Sequence, residues 1–241
     1  MTRAVDVVAR TDANSGGGRM AGGERRQQIL RIAMRLFSQR GFRGTTTKEI
    51  AAAAGVSEAM VFRHFATKEE LYCAILDHKA CAGGLDPCQL LADAIARKDD
   101  RAVFEGLARG MMQHHEQDTD FMRLLTHAAL EEHRLVELFF ERNVSQMYEL
   151  LGGYIRERQR DGALKQLEPA VIVRAFLGMI IHHSLNNTLW DKRRTLLDIP
   201  NERAAEAFTE LLLNGIANPS AAATNGKARP AARRKKANKE R

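Results

Sequence analysis

The 241-residue sequence has few cysteines, few prolines and no long apolar run. Its cysteines, Cys73, Cys81 and Cys88, are odd in number and lack CxxC spacing, which argues against a disulfide scaffold and a four-ligand zinc site. We expect reduced thiols, with a redox pair of Cys73 and Cys81 as the alternative. The longest stretch without a polar side chain, 175–181, is far shorter than the roughly 18 residues that span a membrane. Since residues 1–23 also lack an apolar signal block, we expect a cytoplasmic protein.

The positive charge is uneven along the chain. The formal net charge is +7, and residues 219–241 alone hold eight basic residues and one acidic residue. Residues 24–80 have ten lysines and arginines against six acidic residues, whereas residues 81–218 have sixteen against twenty-one. This asymmetry predicts one end that binds a polyanion and an acidic remainder with another role. The segment 219–241 has no apolar face to bury, so we expect a disordered tail that either binds nucleic acid loosely or only adds solubility.

The basic N-terminal segment begins with the periodicity of two helices. Apolar residues recur at intervals of three and four from Arg25 to Arg40, which predicts a helix that Gly41 ends. Thr46 followed by Glu49 fits a capping box and opens a second helix of about two turns. Each helix therefore presents one apolar face to a core.

A glycine turn joins the second helix to a third. Residues 54–57, Ala-Gly-Val-Ser, combine a glycine that permits unusual backbone angles with a serine that can cap the helix 58–65. A helix, a tight turn and a second helix in this order predict a helix-turn-helix motif. In that motif the second helix enters the DNA major groove. Thr67 and Glu70 predict a fourth helix that begins at Lys68, where unpaired backbone N–H groups and the lysine favour a phosphate.

Together these motifs resemble the DNA-binding domain of TetR-family transcriptional regulators. The resemblance covers about a quarter of the chain and is carried by IleLeu at 29–30, LeuPhe at 36–37, Gly41, ThrThr at 45–46, IleAla at 50–51, AlaGlyValSer at 54–57, Phe62 with Phe65, and LysGlu at 68–69. It implies an all-α protein. An N-terminal three-helix helix-turn-helix domain, 24–82, would join a larger helical ligand-binding and dimerisation domain, 83–218, with disordered extensions at 1–23 and 219–241.

The resemblance also implies which side chains touch DNA. In such proteins the threonine before the second helix and the lysine that opens the fourth contact phosphates, which points to Thr46 and Lys68. Phe62 stands where the family usually has a tyrosine, so its hydroxyl contact is lost and Arg63 or His64 would supply more polar contacts. The predicted DNA-binding residues are Thr45, Thr46, Thr47, Lys48, Ser57, Glu58, Ala59, Met60, Phe62, Arg63, His64 and Lys68. Capping or core packing is the alternative for each; Glu58 either accepts from a cytosine amino group or only offsets the helix dipole.

Beyond residue 82 the sequence predicts helices almost throughout. The expected breaks are Gly83–Gly84, Asp86–Pro87, Asp118–Thr119, Gly162, Glu168–Pro169 and Ile199–Pro200. Residues 135–160 predict one long amphipathic helix, and 131–133 a solvated helix surface. The helix that Pro169 opens is apolar nearly all round, so it needs cover on one side from its own domain and on the other from the last helix, 201–216, and a second copy of the chain.

We therefore expect a homodimer. The resemblance implies a four-helix interface formed by the last two long helices of each subunit, and the predicted interface residues are Phe176, Ile180, Ala204, Phe208, Leu211 and Leu212. Two recognition helices held about 34 Å apart, or a multiple of it, would read a palindromic operator in double-stranded DNA.

Flexible and aromatic side chains, all but Phe176 outside that predicted interface, predict a pocket for a small, apolar effector. They are Met111, Phe121, Met122, Leu125, Phe139, Met147, Phe176, Met179, His183 and Trp190. Ordinary core packing is the alternative for every one of them. We expect no metal and no cofactor, because adjacent residues such as His114 and His115 point about 100° apart on a helix and cannot chelate together.

The sequence thus predicts a DNA-binding transcriptional regulator, most simply a repressor that a small ligand releases from its operator. The alternative is a DNA-associated regulator that recruits another protein and has no small-molecule effector. An enzyme is not expected, because the sequence has no glycine-rich phosphate loop, no GxSxG and no HExxH.

Overall fold

The computed structural model describes residues 22–81 and 87–218, which form helices joined by short connections. These ranges contain no β-strand beyond an isolated antiparallel bridge between Leu164 and Ala217, so the predicted all-α fold is confirmed. None of their helices is both long and apolar enough to cross a membrane. The expected basic tail, almost all of the N-terminal extension and the break at Gly83–Gly84 lie outside the described residues.

Four helices form the N-terminal part. They are α1 (Gly22–Arg40), α2 (Thr47–Ala54), α3 (Glu58–His64) and α4 (Lys68–Cys81). Gly41 ends α1 with a φ of 71°, and its N–H donates to the Phe37 carbonyl at 2.9 Å. The predicted capping box of α2 is present: the N–H of Glu49 donates to Thr46 Oγ1 at 3.2 Å, and the Glu49 carboxylate accepts from the N–H of Thr46 at 2.8 Å.

The turn between α2 and α3 has the predicted geometry. Gly55 takes a left-handed φ of 65°, which a side chain would strain. The next N–H, that of Val56, donates back to the Ala51 carbonyl at 3.0 Å and closes the end of α2. Ser57 caps α3, since its hydroxyl accepts from the N–H of Met60 at 3.2 Å. Two hydrogen-bonded helix ends therefore fix the angle between α2 and α3.

Seven helices form the rest of the described chain. They are α5 (Pro87–Ala96), α6 (Asp100–Gln117), α7 (Thr119–Leu130), α8 (Arg134–Phe139), α9 (Ser145–Arg160), α10 (Pro169–Leu185) and α11 (Asn201–Ile216). The long helix expected over 135–160 is present, but a π-helical turn at Phe140–Val144 divides it into α8 and α9. A second π-helical turn, Asn186–Trp190, extends α10. Residues 131–133, expected on a helix surface, instead form the loop between α7 and α8, where Glu132 has a φ of 52°.

The larger core lies between α6, α9, α10 and α11. At its centre Phe104 is fully buried, with its ring centroid 5.2 Å from that of Phe176 and 6.4 Å from that of Tyr154, both edge-on. The Asp100 carboxylate accepts from the Tyr154 hydroxyl at 2.6 Å and from Arg158 Nε at 2.8 Å. This ion pair and hydrogen bond tie the beginning of α6 to α9.

The second core belongs to both parts of the chain. It joins the inner faces of α1 to α4 with Leu124 and Ala128 of α7 and Leu135 of α8. Tyr72 of α4 is fully buried there, its ring centroid is 4.7 Å from that of Phe37, and its hydroxyl donates to the Leu124 carbonyl at 3.5 Å. The expected domain boundary at residue 82 therefore does not separate two independent cores.

Candidate nucleic-acid interface

Helix α3 presents one face outward because its other face is anchored. Val61 and the residue that ends the helix, Phe65, are each only 1% exposed and form its inner face. Phe62, by contrast, is 44% exposed although it is a large apolar side chain. The outer face consists of Ala59, Met60, Phe62, Arg63 and His64, of which Met60 and His64 are half-buried. The arrangement offers a convex surface with an apolar centre and polar flanks.

Two predicted DNA contacts are already paired with each other. The Thr47 hydroxyl of α2 donates to the carboxylate of Glu58 at the start of α3, and both side chains are half-buried. This bond fixes α3 against α2 and occupies an acceptor of Glu58. Of the two alternatives for Glu58, it favours the structural one.

The two neighbouring threonines before α2 differ in orientation. Thr45 is fully buried and its hydroxyl donates to the Gly41 carbonyl at 2.9 Å, so the prediction that its side chain contacts DNA is wrong. It locks the connection between α1 and α2 instead. Thr46 is exposed, and its N–H and hydroxyl hold the pKa of the Glu49 carboxyl below its ordinary value. Thr46 therefore remains at the surface beside an ionised Glu49.

Lys68 is held at the surface by an aromatic ring. Its ammonium lies 4.1 Å from the centroid of the Phe42 ring, a cation–π contact at the first residue of α4. The cap of α4 differs slightly from a capping box: Thr67 Oγ1 accepts from the N–H of Glu70 at 3.0 Å, but the Glu70 carboxylate accepts from the N–H of Ala66 at 2.7 Å. The ring leaves the hydrogen-bond donors of the ammonium available for an anion.

A carboxylate from the C-terminal part supports the same region, and sequence reasoning missed it. Glu131, in the α7–α8 loop, accepts from the N–H of Phe42 at 2.9 Å and from that of Arg43 at 3.4 Å. The His133 ring lies 4.4 Å from the Phe42 ring, centroid to centroid. Gly41 makes room for this contact, because a Cβ there would lie 2.2 Å from Glu131 Oε1. Gly41 was the available signal, since it is required for close approach as well as for its φ.

The N-terminus of α7 makes a second connection to α1 and α4. The Ser38 hydroxyl donates to the Asp120 carboxylate at 2.9 Å, and Arg123 Nε donates to the Ser38 carbonyl at 3.4 Å. The Lys79 ammonium pairs with the Asp118 carboxylate, and both side chains are mostly buried. A shift of α7 along its axis would therefore move α1 and α4, which carry the helix-turn-helix.

The residues predicted to form one apolar pocket are divided between the two cores. Phe176, Met111, Met147 and Met179 belong to or pack against the larger core, whereas Phe121, Leu125 and Phe139 pack against the shared core. Met122 is half-buried and Trp190 is 64% exposed. The prediction that these residues line a single apolar pocket is therefore wrong. Helical spacing shows that a residue faces inward, but it does not show which core the residue enters.

A cleft of about 290 Å³ lies elsewhere, where α6, α7, α10 and α11 meet. Its lining is Met112, Glu116, Thr119, Ser184, Asn187, Thr188, Lys192, Arg194 and Asn201, which is polar apart from Met112. His183, a predicted ligand contact, is buried behind it with Nε2 3.0 Å from the Asn187 amide nitrogen. Ser184, Asn187 and Thr188 belong to a run of mostly polar residues, 182–188, that follows the apolar part of α10. That polar run was the signal for the cleft in the sequence.

The predicted dimer residues mostly face the interior of their own subunit. Phe176, Ile180 and Ala204 are fully buried and Leu212 is 7% exposed, so these four are wrong as surface contacts. Phe208 is half-buried, and Leu211 is 65% exposed. Helix α10 is apolar on both sides, and its periodicity alone does not say which side its own domain covers. The exposed large apolar residues of α10 and α11 are Val171, Ile181 and Leu211.

Within 22–81 and 87–218, no three side chains of His, Cys, Asp or Glu are placed to hold a metal ion. Cys73 is a free, half-buried thiol, and burial raises its pKa. The side chains of Cys81 and Cys88 lie outside the described part of the structure, so the redox pair stays a prediction.

Comparison with known proteins places these features in context. The family model of bacterial regulatory proteins of the tetR family matches residues 29–75. The HTH-type transcriptional regulator YvkB of Bacillus subtilis is 25% identical over 193 residues, which cover 79% of this chain and 96% of the relative. An HTH-type transcriptional repressor of Mycobacterium tuberculosis is 38% identical over 97 residues, and this match covers half of that relative's length.

Two solved structures share the fold over most of the chain. NalD of Pseudomonas aeruginosa, the secondary repressor of the MexAB-OprM multidrug efflux pump, has a TM-score of 0.64 at 25% identity and covers 83% of this chain and 100% of its own. AibR, in complex with isovaleryl coenzyme A and operator DNA, has a TM-score of 0.59 at 20% identity and covers 78% of this chain and 97% of its own. These relatives are regulators rather than enzymes. With the family match over the helix-turn-helix, they show that the chain is similar to TetR-family transcriptional regulators.

Proposed function

We propose that the protein is a homodimeric repressor that binds a palindromic operator in the bacterial cytoplasm and releases it when a small molecule binds the C-terminal part. The observation that carries the proposal is the exposed face of α3, with Phe62 and Arg63 outward while Val61 and Phe65 are buried. A rigid helix presented in this way fits the DNA major groove. The repressor NalD and the operator-bound AibR support the same function.

The residues around α3 divide into two roles. Lys68, at the start of α4, and the exposed Thr46 and Lys48, at the start of α2, flank α3 and would contact phosphates. Arg63 is exposed on the outer face and would contact base edges, because its guanidinium can donate two hydrogen bonds to guanine. Phe62 would contact a sugar or a thymine methyl group, since it lacks the hydroxyl that a tyrosine would bring.

A second subunit supplies what one short helix lacks. Helix α3 has seven residues and so reaches only a few base pairs, which is too little for useful specificity. Two copies related by a two-fold axis would read an inverted repeat with half-sites about 34 Å apart or a multiple of that. Ligand binding would then release DNA by changing the separation of the two helices, with a coupling of about 1–3 kcal/mol.

Selection of bound sequences from a random pool of duplex DNA tests the proposal. We expect the full-length protein to enrich an inverted repeat, whose spacing gives the separation of the two α3 helices. A pool that stays random after repeated rounds would contradict specific binding, and enrichment of a single unrepeated motif would contradict the two-fold arrangement.

Lys68→Ala tests the phosphate contact. We expect weaker binding to specific and non-specific duplexes alike, together with a salt dependence whose slope is reduced by about one, because one phosphate contact is lost. Fluorescence anisotropy titrations of a selected duplex at several salt concentrations measure both. Arg160→Ala is the matched control, since Arg160 is an exposed cation at the end of α9, far along the chain from the helix-turn-helix. Equal slopes for Lys68→Ala and the unmodified protein would exclude the contact.

A further inference from the structure

We propose that the polar cleft between α6, α7, α10 and α11 binds a small, hydrogen-bonding carboxylate, and that this molecule is the effector of the regulator. The role of this ligand as an effector rests on the proposed function. The cleft and its ligand class are argued from the geometry of the cleft alone. The proposal replaces the apolar effector expected from the sequence.

The positive charge available in the cleft comes from one lysine. Glu116 is fully engaged, since Oε1 accepts from Arg194 at 3.1 Å and Oε2 accepts from Asn201 at 2.7 Å. Arg194 is therefore neutralised within the cleft wall. Lys192 also lines the cleft and has no ion-pair partner among the residues that the structure describes. A carboxylate is the ligand group that would pair with this ammonium.

The rest of the lining is polar and uncharged. His115 lies outside the lining but contacts it, since its ring nitrogen Nδ1 is 2.9 Å from Ser184 Oγ, and because burial lowers its pKa to about 4 this ring is neutral near pH 7. The Thr119 hydroxyl and the Asn187 amide add hydrogen-bonding groups, and Met112 contributes the apolar surface. A wall of this kind favours a ligand that carries hydroxyl or amino groups beside its acid group. An alkyl or aromatic ligand would desolvate the polar groups of the wall without giving them hydrogen-bond partners.

The size of the cleft limits the ligand. A volume of about 290 Å³ equals that of roughly ten water molecules in the liquid, at about 30 Å³ each. It lies at the lower end of the range of small-molecule sites. A short hydroxy or amino acid is therefore the class whose size matches the cleft.

The cleft touches the helix end that connects to the DNA-binding part. Thr119, in its wall, is flanked by Asp118 and Asp120, and these pair with Lys79 of α4 and Ser38 of α1. Both contacts end on the side-chain carboxylates of the residues next to Thr119 in the chain. A ligand that moves Thr119 therefore acts on both attachments of the helix-turn-helix at once, which is the physical link that an effector site requires.

Titrations of the full-length protein with small carboxylates test the cleft. The probes are lactate, 3-hydroxybutyrate, malate and glutamate at millimolar concentration, with lactamide and 3-hydroxybutyramide as uncharged counterparts. The readouts are thermal unfolding and the fluorescence of Trp190, the only tryptophan, which lies in the chain between Thr188 and Lys192 of the cleft. We expect at least one carboxylate to give a saturable signal that its amide lacks, and the same acid to weaken binding to a selected duplex.

Two variants assign the signal to the cleft. Lys192→Gln should weaken the bound acid roughly ten- to hundredfold, because it removes a charged hydrogen-bond partner. Arg193→Gln, which removes a neighbouring exposed cation outside the cleft, should leave the affinity unchanged. No saturable signal with any acid, equal binding of acid and amide, or equal losses in both variants would overturn the inference.

The outcome for DNA separates this inference from the proposed function. Binding of an acid through Lys192 without any sequence-selective DNA binding would leave the cleft assigned and refute the repressor. Selective DNA binding that no acid changes would refute the effector role of the cleft while the proposed DNA binding stands.

Discussion

Val171→Glu combined with Leu211→Glu should yield a monomeric protein that binds its selected duplex about a hundredfold more weakly, or worse. Val171 is 63% exposed on α10 and Leu211 is 65% exposed on α11, so neither charge disturbs the interior of the subunit. In a dimer interface the four introduced carboxylates would be desolvated and would repel one another. A monomer contacts only one half-site and so loses the gain in affinity from bivalent binding, which is typically a factor of ~10²–10⁴. Sedimentation velocity measures the oligomeric state, and anisotropy measures the affinity.

Leu196→Glu is the control for this pair. Leu196 is 85% exposed on the segment between α10 and α11, so the variant introduces the same change of an exposed leucine outside both helices. We expect a dimer with unchanged DNA affinity. If the double variant also remained dimeric and bound DNA normally, the faces of α10 and α11 that carry Val171 and Leu211 would not be the interface.

Tyr72→Ala should lower the free energy of unfolding by about 3–5 kcal/mol, as expected when a fully buried aromatic ring is removed. The ring packs edge-on against Phe37 at 4.7 Å and against His133 at the same distance, and these residues come from different parts of the chain. Because the cavity would open in the core that both parts share, we expect α1 to α4 and α7 to lose stability together. Urea unfolding is followed by circular dichroism, which reports on the helices of the whole chain, and by the fluorescence of Trp190, which reports on the C-terminal part.

Tyr72→Phe separates the ring from its hydroxyl. The hydroxyl donates to the Leu124 carbonyl at a long 3.5 Å, so its removal should cost at most about 1 kcal/mol. A loss with Phe as large as that with Ala would show that the hydrogen bond, not packing, holds the core. A Tyr72→Ala variant that unfolds the helix-turn-helix alone would show that the shared core does not couple the two parts.

The helix-turn-helix could be predicted in detail because local chemistry determines it. The bounds of α2 follow from Thr46 at its start and Gly55 at its end, and Ser57 defines the start of α3. Each of these residues acts on backbone groups within four positions of itself, so the chain sequence contains the whole interaction.

The errors concern contacts between distant segments. Thr45 and Thr46 are equivalent in the sequence pattern, yet only the packing of α1 decides that Thr45 is the buried one. The orientation of α10 depends on whether its own domain or a partner covers a given apolar side, and both sides have the same composition. The polar cleft is formed by four helices that meet in space, so no single stretch of sequence contains it.

The shared core also determines how this protein can be recombined with its relatives. A fragment that ends after α4 would expose the inner faces that Leu124, Ala128 and Leu135 now cover, and it would leave the N–H groups of Phe42 and Arg43 without Glu131. Chimeras that join the DNA-binding helices α1 to α4 of this protein to another regulator therefore need their crossover point after Leu135. A junction in the α4–α5 connection, although convenient in the sequence, would cut through the interior of the protein.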